Sequence, residues 1–231
     1  MFKLEYFEEP DPHIIVDDFL PKPQAKAILD EAINLKQFYK QAEIVGEQHT
    51  FDGCDACKNI KTDARLGTRD NSIVFLDEHY KNHRDDSVTL RTFTSLLSES
   101  FFLKAIRNKP TIFPMIDVCN TVEIILSRYG MCDFYNWHID CGQNFQRERR
   151  VLTLVYYFNN EPEKFKGGEL LFGGEKIEGY KTIKPKHNRL LIFPSNKLHC
   201  VDKVDLPTQD FSAGRFSLNI WLGFNNEYKY R

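Results

Sequence analysis

From Thr121 onward the residues alternate with a period of two, in short runs broken by Gly, Pro, Asn and Asp: TVEIILSRY, DFYNWHID, RVLTLVYYFN, GGELLFG, RLLIFP, LHCVDKV and RFSLNIWLGF. Such alternation marks strands with two chemically different faces. So many short strands in so little chain predict an antiparallel sandwich or barrel rather than βαβ units. The last run is the most informative. Phe216, Leu218, Ile220 and Leu222 make one face, while Arg215, Ser217 and Asn219 lead the other, with Trp221 at its end. A surface strand with its polar side in water gives the same pattern. The run DFYNWHID changes that reading, because regular alternation there puts Phe134, Asn136, His138 and Asp140 on one face and Tyr135, Trp137 and Ile139 on the other. We read a barrel whose interior is a functional cavity and whose outer apolar face is covered by helices.

Those helices come earlier in the chain. Between Pro21 and Lys36, Ala25, Ile28, Leu29, Ala32 and Leu35 follow the spacing of an amphipathic helix. A second helix is expected from about Ser87 to Arg107, with Leu90, Phe93, Leu96 and Leu97 on one face and Pro110 just beyond its end. Residues 41–86 between them are polar and contain one short apolar run, SIVFL, that suits a strand. The 231 residues are read as a single domain, with a helical and substrate-side region over 1–120 and a β core over 121–224.

Composition removes several functions. No stretch approaches the ~20 apolar residues that cross a bilayer, and the start MFKLEYFEEPDPHIIVDD lacks the basic and apolar blocks of a secretory signal. A cytoplasmic, reducing compartment and no membrane partner are therefore expected. Six cysteines are too few for a disulfide scaffold, and Cys54 and Cys57, although spaced C-x-x-C, are read as ordinary loop cysteines. A formal net charge of −2 with interspersed signs offers no field for a nucleic acid. RERR at 147–150 is the one basic cluster, either a solvated loop or a contact for an anionic part of a substrate.

His138 and Asp140 lie two apart on one predicted strand, so their side chains converge. In a chain with 7 histidines the triplet carries little weight alone. It gains weight from His199, on a later strand, because two imidazoles and a carboxylate form a facial triad that leaves positions open on iron(II). A structural zinc site would close its shell with a fourth ligand. Cys200 is adjacent but, on a regular strand, points the other way. Arg215 and Ser217 share a face of the last strand, where a guanidinium fork and a hydroxyl suit a carboxylate.

At this point the chain resembles the iron(II)- and 2-oxoglutarate-dependent dioxygenases, specifically the prolyl 4-hydroxylase-like branch that includes the PKHD-type hydroxylases. The resemblance covers residues 121–224, carried by SRYG at 127–130, WHID at 137–140, VYYFN at 155–159, KGGELLFG at 166–173, RLLIFPSNKLHCV at 189–201 and GRFSLNIWL at 214–222. It implies a double-stranded β-helix, or jelly-roll, core flanked by N-terminal helices. It implies that His138, Asp140 and His199 bind iron, that Arg215 pairs with the distal carboxylate of 2-oxoglutarate, and that Ser217 and Tyr129 donate to the same group. A shifted loop would hand the role of Tyr129 to Tyr135, although strand parity puts Tyr135 on the outer face. Gly167 and Gly168 are read as close backbone packing.

The implied reaction is hydroxylation of an unactivated C–H bond with dioxygen, coupled to conversion of 2-oxoglutarate to succinate and carbon dioxide, with ascorbate as a candidate reductant. A carboxylate at Asp140 favours hydroxylation over halogenation, which needs a small residue there. The substrate is a prolyl residue in a peptide, or a free amino acid or similar small molecule, selected by residues 41–86 and 141–150. Within RDNSIVFL at 69–76 Arg69 is a candidate substrate contact, with Tyr135 and Arg147. His13, His49, His79, His83 and His187 are read as ordinary surface residues. Three rivals remain: a non-catalytic cupin-type metal-binding protein, which has no need of Arg215 and Ser217; a pseudo-enzyme interaction module, in which a ligand would be lost; and an AlkB-like nucleic-acid demethylase, for which the chain lacks a basic groove and a second arginine after Arg215.

Overall fold

The computed structural model describes residues 3–42, 68–98, 101–111, 113–141, 149–173 and 179–225. Cys54, Cys57, His49, Arg147 and most of the two segments expected to select the substrate lie outside the described residues. The first half forms β1 (Lys3–Phe7), β2 (His13–Asp17), helix α1 (Lys22–Asn34), β3 (Lys40–Gln41), β4 (Arg69–Asp70), β5 (Ser72–Phe75) and helices α2 (Leu76–His79), α3 (Val88–Leu97) and α4 (Phe101–Arg107). The periodic region forms β6 (Thr121–Tyr129), β7 (Phe134–His138), β8 (Arg149–Phe158), β9 (Lys166–Gly167), β10 (Leu170–Phe172), β11 (Lys181–Ile183), β12 (Arg189–Pro194), β13 (His199–Val201), β14 (Val204–Asp205) and β15 (Arg215–Phe224).

Eight strands make one sheet in the order β1-β2-β12-β8-β15-β6-β5-β3, and five make a second in the order β11-β10-β13-β7-β4. Pairing between neighbours is antiparallel throughout the described strands. Along the chain β6, β8, β12 and β15 lie in the large sheet, while β7, the pair β10–β11, and β13 lie in the small one. The chain therefore winds from sheet to sheet, which is the double-stranded β-helix expected from the sequence. β1 and β2 extend the large sheet at one edge, and β5 and β3 extend it at the other.

The alternation on β15 sorts its side chains as expected. Phe216, Leu218, Ile220 and Leu222 join Leu152, Leu154, Tyr156 and Phe158 of β8 in one buried cluster with Ala25, Ile28, Leu29 and Ala32 of α1, Leu90 and Phe93 of α3, and Phe102 and Ile106 of α4. Full burial of each such aliphatic or aromatic side chain contributes about 1.5–3 kcal/mol, so the helices are held by the sheet rather than by propensity. α1 begins with Pro23 in its first turn, where a missing N–H costs nothing. Glu31 of α1 accepts from Thr89 N and Oγ1 at 2.8 and 2.6 Å, and Ser87 Oγ accepts from Leu90 N at 3.0 Å, so α1 helps to cap α3.

Three expectations are corrected. The single helix from Ser87 to Arg107 is two, because Ser98 is extended (φ −83°, ψ −176°) and its hydroxyl donates to Ser95 O at 2.7 Å in competition with the helical ladder. The β1–β2 hairpin and β11 were not anticipated; β2 docks against β12 through Ile14, Ile15 and Val16. His13 is fully buried rather than on the surface: its Nδ1 donates to Asp11 O at 2.7 Å, its Nε2 accepts from Lys181 Nζ at 3.1 Å, and its ring stacks on Phe7. No described helix is long and apolar enough to cross a membrane.

Candidate active site

β7 and β13 bring the three expected ligands together. His138 and His199 are direct cross-strand partners. Asp140 follows β7, where its N–H donates to Ser195 O at 2.9 Å. His138 Nε2 lies 3.7 Å from Asp140 Oδ1, and His199 Nε2 lies 3.5 Å from Asp140 Oδ2. The three ligand atoms fall within 4.8 Å of one another, as a shared metal ion requires. The three side chains, in chain order, are only 9%, 7% and 4% exposed, so bulk water is largely excluded.

Both imidazoles are oriented by the main chain. His138 Nδ1 donates to Asn136 O at 2.8 Å and His199 Nδ1 to Lys197 O at 2.9 Å. A carbonyl only accepts, so each Nδ1 carries the proton and each Nε2 keeps its lone pair for the centre. Burial, and then neighbouring His199, push the His138 pKa down to about 3, leaving that ring neutral at physiological pH. For Asp140 burial opposes the charge. His199, His138 and the Thr153 hydroxyl outweigh it and hold the carboxyl below its ordinary range. Two neutral imidazoles and a carboxylate are a donor set that fits iron(II).

Tyr135 is not on the outer face. His199 pairs with His138 but Val201 pairs with Tyr135, so β7 carries one residue more than β13 between the two pairs. This β-bulge reverses the parity of the strand, and Asn136 supports it by accepting from Trp137 N through Oδ1 at 2.9 Å. The Tyr135 ring stacks on His138, with centroids 3.6 Å apart and planes 10° from parallel. Arg69, paired with Tyr135 across β4 and β7, places its guanidinium 5.1 Å from that ring. Two of the expected substrate contacts therefore sit together beside His138. Cys200 points away from the centre as expected, into a cluster with Trp137 and Leu171.

Arg215 is 1% exposed and forms a second focus. Its Nε donates to Gly168 O at 2.9 Å and its Nη1 to Ser217 Oγ at 3.3 Å, while Nη2 is buried without a hydrogen-bond partner. Tyr129 and Tyr157 lie against the guanidinium, 4.6 and 5.0 Å from their ring centres, and the Tyr157 hydroxyl is also buried without a bond of ordinary geometry. Among the described residues no carboxylate pairs with this cation. A desolvated guanidinium with Nη2 unpaired beside an unsatisfied hydroxyl fits an incoming carboxylate. Gly168 is needed for this arrangement: at φ +70° a Cβ would lie 2.9 Å from Arg215 Cδ and 2.8 Å from Val204 Cγ2. Gly167 has the same positive φ and packs on the Lys203 carbonyl, so close backbone approach is the role of both glycines.

Several residues of this wall were not singled out from the sequence. Thr153 and Tyr157 lie opposite Trp221 and Ser217 on the neighbouring strand, and the even spacing within RVLTLVYYFN was the available signal. Arg150, in the run where Arg147 was expected to act, stacks 3.8 Å from the Trp221 ring centre, donates to Glu123 Oε2 at 2.6 Å and reaches Asp140 O at 3.3 Å. Ser195, in the loop PSNK, carried no periodic signal.

Residues 124–223 match the model of the 2OG-Fe(II) oxygenase superfamily. With the double-stranded β-helix and the His-Asp-His cluster, this segment of the chain is similar to that superfamily of 2-oxoglutarate- and iron(II)-dependent oxygenases. Within it the similarity runs to the PKHD-type hydroxylases. An uncharacterized member from Synechocystis is 31% identical over 44% of this chain and 36% of its own length. A member from Klebsiella pneumoniae is 26% identical over 52% of this chain and 54% of its own. The chain thus spans between about a third and a half of the length of such curated relatives. In fold it is similar to a Trichoplax adhaerens prolyl hydroxylase solved with a hypoxia inducible factor peptide fragment (TM-score 0.59, 18% identity, 93% of this chain and 84% of that one). It is equally similar to a Pseudomonas putida prolyl-4-hydroxylase (TM-score 0.59, 16% identity, 91% of each chain).

Proposed function

We propose that this protein is an iron(II)- and 2-oxoglutarate-dependent dioxygenase that hydroxylates an unactivated C–H bond of a prolyl residue or a related amino-acid substrate. The observation that carries the reading is the pairing of two features in one barrel: three converging ligand atoms and a buried guanidinium whose Nη2 has no hydrogen-bond partner. A metal-binding protein without oxygenase chemistry needs the first and gains nothing from the second.

His138, Asp140 and His199 hold the iron through Nε2, a carboxylate oxygen and Nε2. Arg215, with Ser217, Tyr129 and Tyr157, receives the far carboxylate of 2-oxoglutarate. When bound, iron with 2-oxoglutarate and dioxygen supplies the oxidising power for hydroxylation and releases succinate and carbon dioxide. The protein orients both imidazoles, neutralises the buried co-substrate and keeps water from the centre. Tyr135 and Arg69 beside His138 form the substrate side; Arg147, the third candidate contact, lies outside the described residues. The prolyl reading draws on the prolyl hydroxylases among the similar folds, one of them solved with a peptide.

The test is anaerobic titration of iron(II) and then 2-oxoglutarate, followed by the charge-transfer absorption of the ternary complex. Wild type is expected to develop the band, His199→Ala to lose it at the metal step, and Arg215→Met to require far more 2-oxoglutarate. A band that forms equally in Arg215→Met refutes the carboxylate assignment; no iron binding in wild type refutes the whole reading.

A further inference from the structure

One oxygen of Asp140 is already held by the protein. Thr153 Oγ1 donates to Asp140 Oδ2 at 2.8 Å. Because that hydroxyl has a single proton, its contact with Ser195 Oγ at 2.9 Å runs the other way, with Ser195 donating to Thr153. The same Ser195 accepts from the main-chain N–H groups of Asp140 and Cys141, at 2.9 and 3.1 Å, and donates its own N–H to Val151 O at 3.0 Å. Thr153 and Ser195 are 1% and 0% exposed, so solvent does not compete for these bonds. Thr153 lies on β8 and Ser195 follows β12, both in the large sheet, whereas Asp140 follows β7 of the small sheet. A directed chain of hydroxyls therefore crosses between the sheets and ends on one carboxylate oxygen.

We propose that Thr153 is a positioning residue that fixes the rotation of the Asp140 carboxylate within the metal site. This rests on the reading of His138, Asp140 and His199 as iron ligands. A carboxylate with Oδ2 held by a buried hydroxyl cannot turn freely about its Cβ–Cγ bond: Oδ2 is fixed on the His199 side, 3.5 Å from Nε2, with one lone pair taken by Thr153, and Oδ1 stays on the His138 side, 3.7 Å from Nε2. A carboxylate free to turn can take the metal with both oxygens and occupy a position that a chelating keto acid needs. Ser195 orients Thr153 by occupying its lone pair and fixes the Asp140 backbone through its carbonyl. Loss of a hydrogen-bonding partner behind a metal ligand weakens metal binding by about 10–100-fold.

The experiment uses cobalt(II) as a spectroscopic probe in the whole chain, with dissociation constants measured for cobalt and then for 2-oxoglutarate on the cobalt protein. Thr153→Val, which keeps the shape and removes the hydroxyl, is expected to weaken one or both by at least 10-fold and to change the cobalt ligand-field intensity, while its Tm stays close to wild type. Thr153→Ser restores both constants to within about 3-fold, and Ser195→Ala, which leaves Thr153 donating, weakens them less than Thr153→Val does. Should Thr153→Val fail to fold, Thr153→Ala provides the hydroxyl-free comparison. Wild-type constants and spectrum in the hydroxyl-free variant overturn the proposal while leaving the metal site intact, as does an equal loss in Thr153→Ser. Cobalt binding that is absent in wild type, or undiminished in His199→Ala, overturns the ligand assignment and this proposal with it.

Discussion

Replacing Arg215 with methionine separates a binding role from a structural one, because the two predict different effects on the ligand-free protein. The variant loses the bond to the Gly168 carbonyl and the longer one to Ser217, bonds to a charged group worth about 1.5–3 kcal/mol each. It also removes a buried cation that no described carboxylate pairs with. Removing it relieves a desolvation penalty of several kcal/mol, of the same order as the lost bonds. The two effects roughly offset, so the ligand-free variant should be close to wild type in stability. Losing one partner of a buried charge-assisted pair costs about 2–5 kcal/mol of binding, so its affinity for 2-oxoglutarate should fall by about 30-fold or more. In thermal unfolding of the zinc-loaded protein, 2-oxoglutarate at 100 times the wild-type Kd adds about 2.7 kcal/mol, a rise of about 5–11 °C in Tm for a chain of this size. In Arg215→Met the same concentration should raise Tm by less than about 3 °C. A ligand-free variant that melts far below wild type, yet still gains the full shift, would refute the reasoning and make Arg215 a structural residue.

Gly168→Ala should weaken 2-oxoglutarate binding and destabilise by about 1–3 kcal/mol, because the new Cβ meets Arg215 Cδ at 2.9 Å on a backbone at φ +70°; calorimetric titration with melting curves reads both. Phe93→Ala, which empties a position under the large sheet beside Phe19 and Tyr156, should cost about 3–5 kcal/mol in urea unfolding and leave the 2-oxoglutarate Kd unchanged. The metal-free protein should be acid-labile through His138, whose folded pKa near 3 lies below the ordinary 6.5. Between those values the unfolded chain binds a proton that the folded chain refuses, so stability falls as pH drops, by about 3 kcal/mol between pH 7 and pH 4. Asp140, also depressed, acts in the same direction below 3.8. Urea unfolding of His138→Asn should lack the His138 share of that loss.

A strand with one face on the apolar core and the other on a polar interior was legible because its alternation survives in the sequence even when both faces are buried. β15 is the clearest case, with Phe216, Leu218, Ile220 and Leu222 on the helical side and Arg215 and Ser217 within. Parity failed at Tyr135 for a physical reason: a bulge adds one residue to β7, and nothing in YNWH announces it. The β1–β2 hairpin was hidden because β1 is an edge strand with none of its five residues buried, and its acidic neighbours read as a polar terminus. The break at Ser98 interrupts a helical pattern whose apolar spacing continues on both sides. Residues that act through another side chain were the least visible. Thr153 and Ser195 matter because of where Asp140 sits, and that relation is created by strands from two sheets meeting rather than by any local spacing.

The central claim is tested most directly by measuring succinate formed from 2-oxoglutarate when air is admitted to anaerobically iron-loaded protein, alone and with proline-containing peptides or free amino acids, beside His199→Ala. The account predicts turnover in wild type that one substrate pool stimulates and that His199→Ala abolishes. Iron bound at the His138, Asp140 and His199 site with no succinate above the His199→Ala background, in any pool, would contradict it.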